Sequence, residues 1–253
     1  MNSIYINHIP RTGGTTLSRM LYSSGIGNLN LNVFTPQISA YQKKEFNEQN
    51  IINSNLIMGH YGIAPNIFNP NIKTIAFLRD PVNQVVSMFS KLYLESQNPL
   101  NQSIDFDIMR SSINKNNEVE LFIEWLFDDR SNMYTNNGQI YNLINTKYPY
   151  TYDQVTKNKT SNETTNIVND KNAAEAISSL IFLGTTENIY KGYEKIIDLI
   201  NEEFNVKLFK KYRKGTDNSI PYTQNILKSL GKSEIDYIKS SSSIDYMHWE
   251  NAL

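Results

Sequence analysis

Residues 3–24, SIYINHIPRTGGTTLSRMLYSS, read as a strand, a tight loop and a helix, and this unit sets what the rest of the chain can build. Ile4, Tyr5, Ile6 and Ile9 make a short, mostly apolar run of β-favouring residues, as a buried strand requires. Pro10 has no N–H for a sheet ladder and ends the run. Gly13 and Gly14 allow a sharp turn and a close approach of backbone to a ligand. Thr15 or Thr16 is expected to cap a helix whose apolar positions Leu17, Met20 and Leu21 recur at helical spacing. A helix opening on such a loop presents free N–H groups and the positive end of its dipole. Arg11 adds a fixed charge, and Thr12, Thr15 and Thr16 add hydroxyls. The expected ligand is an anion such as phosphate or sulfate; an ordinary glycine-containing turn is the alternative. The loop is not a Walker A loop, because Arg stands before the glycines and no Lys follows them.

Net charge bears on what that anion can belong to. The 253 residues carry 24 basic and 25 acidic side chains, a net charge of -1. No general basic field points to nucleic acid or an anionic membrane, so anion binding must be local. There are no cysteines, hence no disulfide and no thiolate metal site. Residues 1–25 lack the pattern of a signal peptide, and no run of about 18 apolar residues suggests a membrane span, so a cytoplasmic location is expected. The length suits one large α/β domain or two small ones.

Leu56, Ile57 and Met58 read as the second strand, followed by Gly59-His60-Tyr61-Gly62. A histidine at a strand's carboxyl end sits where open α/β sheets place ligand chemistry, and its ordinary pKa suits general-base work. The alternative for His60 is a hydrogen-bonded structural group. His8 lies inside the first strand with a structural or loop-orienting role, and His248, beside Trp249, is a packing residue. Lys73 to Arg79 is a third strand, and Asp80 and Pro81 supply an N-cap and an N1 proline for the helix VNQVVSMFSKLYL. Arg79 therefore ends a strand next to a helix N-terminus, with Ser87 two turns into that helix. Its alternative is pairing with a nearby carboxylate. Two strand–loop–helix units, each with an Arg at the strand's end, predict two anion subsites on one face of a parallel sheet flanked by helices. No Asp or Glu stands where a Walker B strand or a magnesium cage would need it, and no metal is expected.

HIPRTGGTTL, GHYGIAP and IAFLRDPVNQVVSMF together resemble the sulfotransferases that use 3'-phosphoadenosine 5'-phosphosulfate (PAPS), closest to their carbohydrate 2-O-sulfotransferase-like branch. The resemblance continues through Phe122 to Leu126, the Asn137-Gly138-Gln139 segment, Ile181 to Ile200 with its G-x-T-E, Lys211 to Lys214 followed by Asp217 to Pro221, and the closing helices from Ile235 to Ala252. It implies a P-loop-like sulfotransferase fold in a single domain over residues 1–253. Residues 97–176 would shape the acceptor site, with a mobile polar loop at about 153–172. It further implies that Arg11, Thr12, Gly13, Gly14, Thr15 and Thr16 hold the 5'-phosphosulfate. Arg79 and Ser87 would hold the 3'-phosphate, with Arg213 and Lys214 in a basic loop nearby, and His60 would take the proton from the acceptor hydroxyl. Arg11 would also stabilise charge at the reacting sulfuryl group, and adenosine 3',5'-bisphosphate would be the product.

Two positions depart from the family pattern. Arg11 stands where Lys is usual, a planar fork of donors in place of a mobile point charge. Gln84 replaces the second Arg of R-D-P-x-x-R, which leaves Arg213 and Lys214 to compensate or the nucleotide more weakly held. Tyr134, Tyr141, Tyr148, Tyr150 and Tyr152 are read as either packing or stacking surfaces for an acceptor. That acceptor is expected to be a hydroxyl on a saccharide or another small molecule. The competing functions are an atypical small-molecule kinase, which would need a magnesium ligand set, and a non-catalytic nucleotide- or acceptor-binding module.

Overall fold

The computed structural model describes residues 2–34, 48–60, 62–97, 117–128, 131–144, 168–213 and 217–253. Five strands form one sheet: β1 (Ile4–Asn7), β2 (Val33–Phe34), β3 (Leu56–Gly59), β4 (Lys73–Leu78) and β5 (Phe182–Thr185). Their order is β2-β3-β1-β4-β5, and every neighbouring pair is parallel. β1 is therefore central, as its unbroken burial requires. The chain is α/β with a parallel sheet between helices. β2 carries no signal in the sequence: two half-buried residues pairing with Leu56 and Ile57 make an edge strand too short to leave a pattern. β3 is thus the third strand in sequence, not the second.

Side chains alternate cleanly across the sheet. Ile4, Ile6, Leu56, Met58, Ile75 and Phe77 face one core, shared with helix α1 (Gly14–Ser23). Tyr5, Ile57 and Ile72 face the other, where α2 (Glu48–Ile52) and α3 (Ala64–Phe68) place Ile51 and Ala64. The helix after β4, α4 (Pro81–Ser96), joins α5 (Glu118–Leu126) in a third cluster of Phe89, Phe122 and Trp125. Asp80 caps α4 as expected, its carboxylate accepting from the Asn83 N–H at 2.8 Å.

Two short helices follow, α6 (Asn132–Thr135) and α7 (Gly138–Ile144). Tyr134 and Tyr141 are buried among apolar side chains, so both are packing residues; Tyr148, Tyr150 and Tyr152 lie outside the described residues. Most of the predicted mobile loop, residues 153–167, also lies outside them. Its end does not: α8 (Asp170–Ser178) begins there, capped by Asn169. After β5, α9 (Ile189–Phe204) packs on the α1 face. Phe77 fills the space left by Gly184 and Gly192, where an added Cβ would lie 2.7 and 2.5 Å from its ring. The last helices are α10 (Ile220–Ser229), α11 (Lys232–Ser241) and α12 (Ser243–Ala252). No helix among the described residues is long and apolar enough to cross a membrane.

α12 is tied to α7 by reciprocal caps. Asn137, in left-handed backbone at φ 52°, accepts at Oδ1 from the N–H groups of Ile244 and Asp245 at 2.8 and 3.1 Å. Asp245 in turn accepts from the N–H groups of Gln139 and Ile140 at 3.0 and 2.9 Å. Burial pushes the Asp245 carboxyl up to about 7 against these two bonds, which favour its charged form. The folded state thus holds the Asp245 proton more tightly than the unfolded chain does. Stability from this group is full below the ordinary carboxylate pKa and lost as pH rises through the folded value. We expect the melting-temperature difference between wild type and Asp245→Asn to shift against wild type from about pH 4 to 7 and then level. A difference constant across that range would place the carboxyl at its ordinary pKa.

Candidate functional site

The site is set by register at the carboxyl edge of the sheet. Asn7 of β1 lies opposite Gly59 of β3, and the His8 N–H extends the ladder to the Gly59 carbonyl at 2.8 Å. The next residues, His8 and His60, are therefore abreast, and their rings stack with centroids 4.2 Å apart. His8 follows the first strand instead of lying inside it. Burial, then the neighbouring His60 and Arg11, pushes the His8 pKa well below the usual imidazole range. Burial pushes His60 down to about 4, opposed by a hydrogen bond with the His8 backbone. Both rings are neutral at pH 7, and the His60 Nδ1 is shut away from solvent with no hydrogen-bond partner among the described residues.

The loop from Ile9 to Gly13 closes on itself. The Thr12 N–H and hydroxyl both donate to the Ile9 carbonyl, at 3.3 and 2.9 Å. Thr12 is buried and its hydroxyl points into the loop, away from the ligand-donor role expected of it. Gly13 takes φ 88°, and its carbonyl accepts the first helical bond, from the Leu17 N–H. The helix therefore starts at Gly14 with Gly13 as its N-cap, ahead of the threonines expected to cap it, and no side chain caps its first turn. The donors there are free to meet an anion. Gly14 has no room for a side chain, because an added Cβ would fall 1.7 Å from the His8 ring. A hollow of about 10 Å³ lies between this loop and the α1-face core, with Ile6, Leu17, Phe77 and Ile189 among its walls beside Asn7, His8, Thr12, Gly13 and Gly14. Thr15 is exposed and Thr16 half-buried at the helix start.

Arg11 departs furthest from expectation. Its backbone is left-handed at φ 68°, and its side chain turns toward Ser87, whose hydroxyl accepts from Nε at 3.0 Å. Nη2 donates to Asp217 at 2.5 Å and to the Ser219 hydroxyl at 2.9 Å. Arg79 approaches the same place, donating from Nη1 to the Arg11 carbonyl at 3.2 Å. The two expected anion subsites thus meet at one arginine. Burial and the Arg11 charge lower the Arg79 pKa, while Glu187, Asp80 and Asp217 raise it. Burial raises the Asp217 pKa, but bonds from Ser219 and the charge of Arg11 outweigh it and leave the net shift downward.

Two glutamines hold these arginines in place. The Gln139 carboxamide, fully buried, accepts from the Arg79 N–H and donates to the Arg79 carbonyl, both at 2.8 Å. It pairs with the end of β4 as a neighbouring strand would. Gln84 donates to the Pro10 carbonyl at 3.2 Å and so fastens the first loop to α4. Gln139, Asp217 and Ser219 had no site role in the sequence reading beyond the resembling segments that contain them. Their partners lie 60, 206 and 208 residues away, beyond any local signal. Arg213 is exposed and Lys214 lies outside the described residues. Among the described residues, no three His, Cys, Asp or Glu side chains gather where a metal ion could be held.

Comparison with known protein families finds no family that matches this chain, and no curated protein matches it.

The histidine geometry is open to direct test. The chain has three histidines, so their imidazole Cε1–H signals can be followed individually by NMR against pH. We expect His60 to titrate near 4 and His8 also below the ordinary range. Ordinary midpoints for both would mean that the stacked pair is open to water.

Proposed function

We propose that this protein is a PAPS-dependent sulfotransferase of P-loop-like fold, transferring a sulfuryl group to an acceptor hydroxyl, with a saccharide as the favoured acceptor. One observation carries the reading. The uncapped start of α1, the guanidinium groups of Arg11 and Arg79 and the neutral His60 stand at the ends of three adjacent strands. The donor set fits a ligand with two anionic groups. The N–H groups of Gly13, Gly14, Thr15 and Thr16 suit the phosphosulfate, and Arg79 with Ser87 suits the 3'-phosphate. Arg11, bonded to Ser87, stands between the two.

PAPS supplies a sulfuryl group already joined to a phosphate leaving group. The protein's part is to hold charge and to move one proton. Backbone donors and arginines fixed before the reaction stabilise charge as it builds, at no reorganisation cost. His60, neutral at pH 7, is in the form that accepts the hydroxyl proton. Its burial makes it a weaker base than a free imidazole, and also keeps it active in acid: the acid limb of the rate profile falls below the ordinary histidine range.

Adenosine 3',5'-bisphosphate should raise the melting temperature by several degrees at about 100 times Kd, where a native-state ligand adds about 2.7 kcal/mol. The shift should not need magnesium, and Arg79→Ala should abolish it. A shift seen only with ATP and magnesium would replace this reading with a kinase. Once an acceptor is found, His60→Ala should lower turnover by about 10²–10⁴-fold with nucleotide binding nearly intact. Turnover close to wild type would remove His60 as the base.

A further inference from the structure

The Arg11 guanidinium already holds an anion. Asp217, just ahead of α10, meets Nη2 at 2.5 Å. The other Asp217 oxygen accepts from the Ser219 N–H at 2.9 Å and from the Ser219 hydroxyl at 2.7 Å. That hydroxyl in turn accepts from Arg11. The carboxylate thus sits in a ready set of donors: a guanidinium, a backbone N–H and a hydroxyl. Ser87 holds the far side of Arg11, and Arg79 lies within reach of the Asp217 charge. These are the donors that a phosphate or sulfate group takes, since its oxygens offer a guanidinium the same edge a carboxylate does.

Exposure separates a fixed strut from a replaceable partner. A fully buried pair would be costly to break, because each charge would be left uncompensated. Here the Asp217 side chain is 34% exposed and that of Arg11 18%. The carboxylate can turn to water, so the pair is far easier to open than a fully buried one. Arg11 keeps its Ser87 bond if Asp217 leaves, so its fork stays aimed.

We infer that Asp217 is an internal counter-anion, standing at Arg11 in the place of a ligand's phosphate or sulfate group, and that an anionic ligand binds by displacing it. The inference uses the sulfotransferase reading only for the identity of the ligand. It makes Asp217 a determinant of affinity and selectivity. A ligand must outcompete a tethered carboxylate, which favours groups carrying more than one negative charge.

The test is isothermal titration of two probes, inorganic pyrophosphate and adenosine 3',5'-bisphosphate, at fixed ionic strength. Asp217→Asn removes the charge and keeps an acceptor for the Ser219 N–H. It should bind each probe roughly two- to fivefold more tightly than wild type, and the gain should vanish in the Arg11→Ala background. Unchanged or weaker pyrophosphate binding by Asp217→Asn overturns the inference, as does the absence of pyrophosphate binding to both proteins. A gain that persists without Arg11 overturns it too, since displacement at Arg11 would then not be its cause. If pyrophosphate gains while the nucleotide binds no better than pyrophosphate, the counter-anion stands and the PAPS reading falls. Melting of the unliganded variants reports their folding, and Asp217→Ser carries the same expectation should Asp217→Asn fail to fold.

Discussion

The in-register parallel ladder through β1 governs every polar contact at its carboxyl edge. Ile4 lies opposite Leu56 on one side and Lys73 on the other, and the pairing holds to Asn7, opposite Gly59 and Ala76. A slip of one residue would exchange Tyr5 for Ile4 and Ile6 on the two faces, which the buried cores forbid. With the register fixed, His8 and His60 must lie side by side, and the loops after β1 and β4 must emerge next to each other. Hydrophobic alternation thus decides where the imidazoles and guanidinium groups stand.

Strand ends lose their ladder partners, and here side chains replace them. Arg79 leaves the sheet beyond Leu78, and the Gln139 carboxamide supplies both bonds that a further strand residue would have made. Gln139 is itself held by Asp245 from the last helix. Leaving these part-buried Arg79 backbone groups unpaired would be unfavourable, so the amide helps set where Arg79 sits. Gln84 does the same for the loop carbonyl of Pro10. Position 84 is thus a neutral buried clamp.

What could be read from the sequence was local. The apolar run of Ile4 to Ile6, the Asp80-Pro81 start of α4 and the strand at Lys73 each carry their signal within a few residues, and each stands where expected. The start of α1 did not, because the left-handed Gly13 begins the helix before either threonine can cap it. The two-residue β2 is too short to pattern. The direction of Arg11 was illegible for a different reason: its charge is drawn by Asp217, and no spacing rule links residues 206 apart. The histidine stack likewise depends on how two strands align, a property of neither strand alone.

The great sequence separation of the Arg11 partners has a kinetic meaning. The sheet from β1 to β4 pairs within the first third of the chain, whereas the Arg11 contacts with Asp217 and Ser219 close loops of 206 and 208 residues that contain α9. Asp245 must also travel from the last helix to seat Gln139. Long-range closures of this kind carry the largest entropy cost and tend to come late. By that rule the guanidinium cluster belongs to the late-closing contacts: the strand, the loop and the helix can form from local sequence, while the arrangement of charge they present needs the far end of the chain.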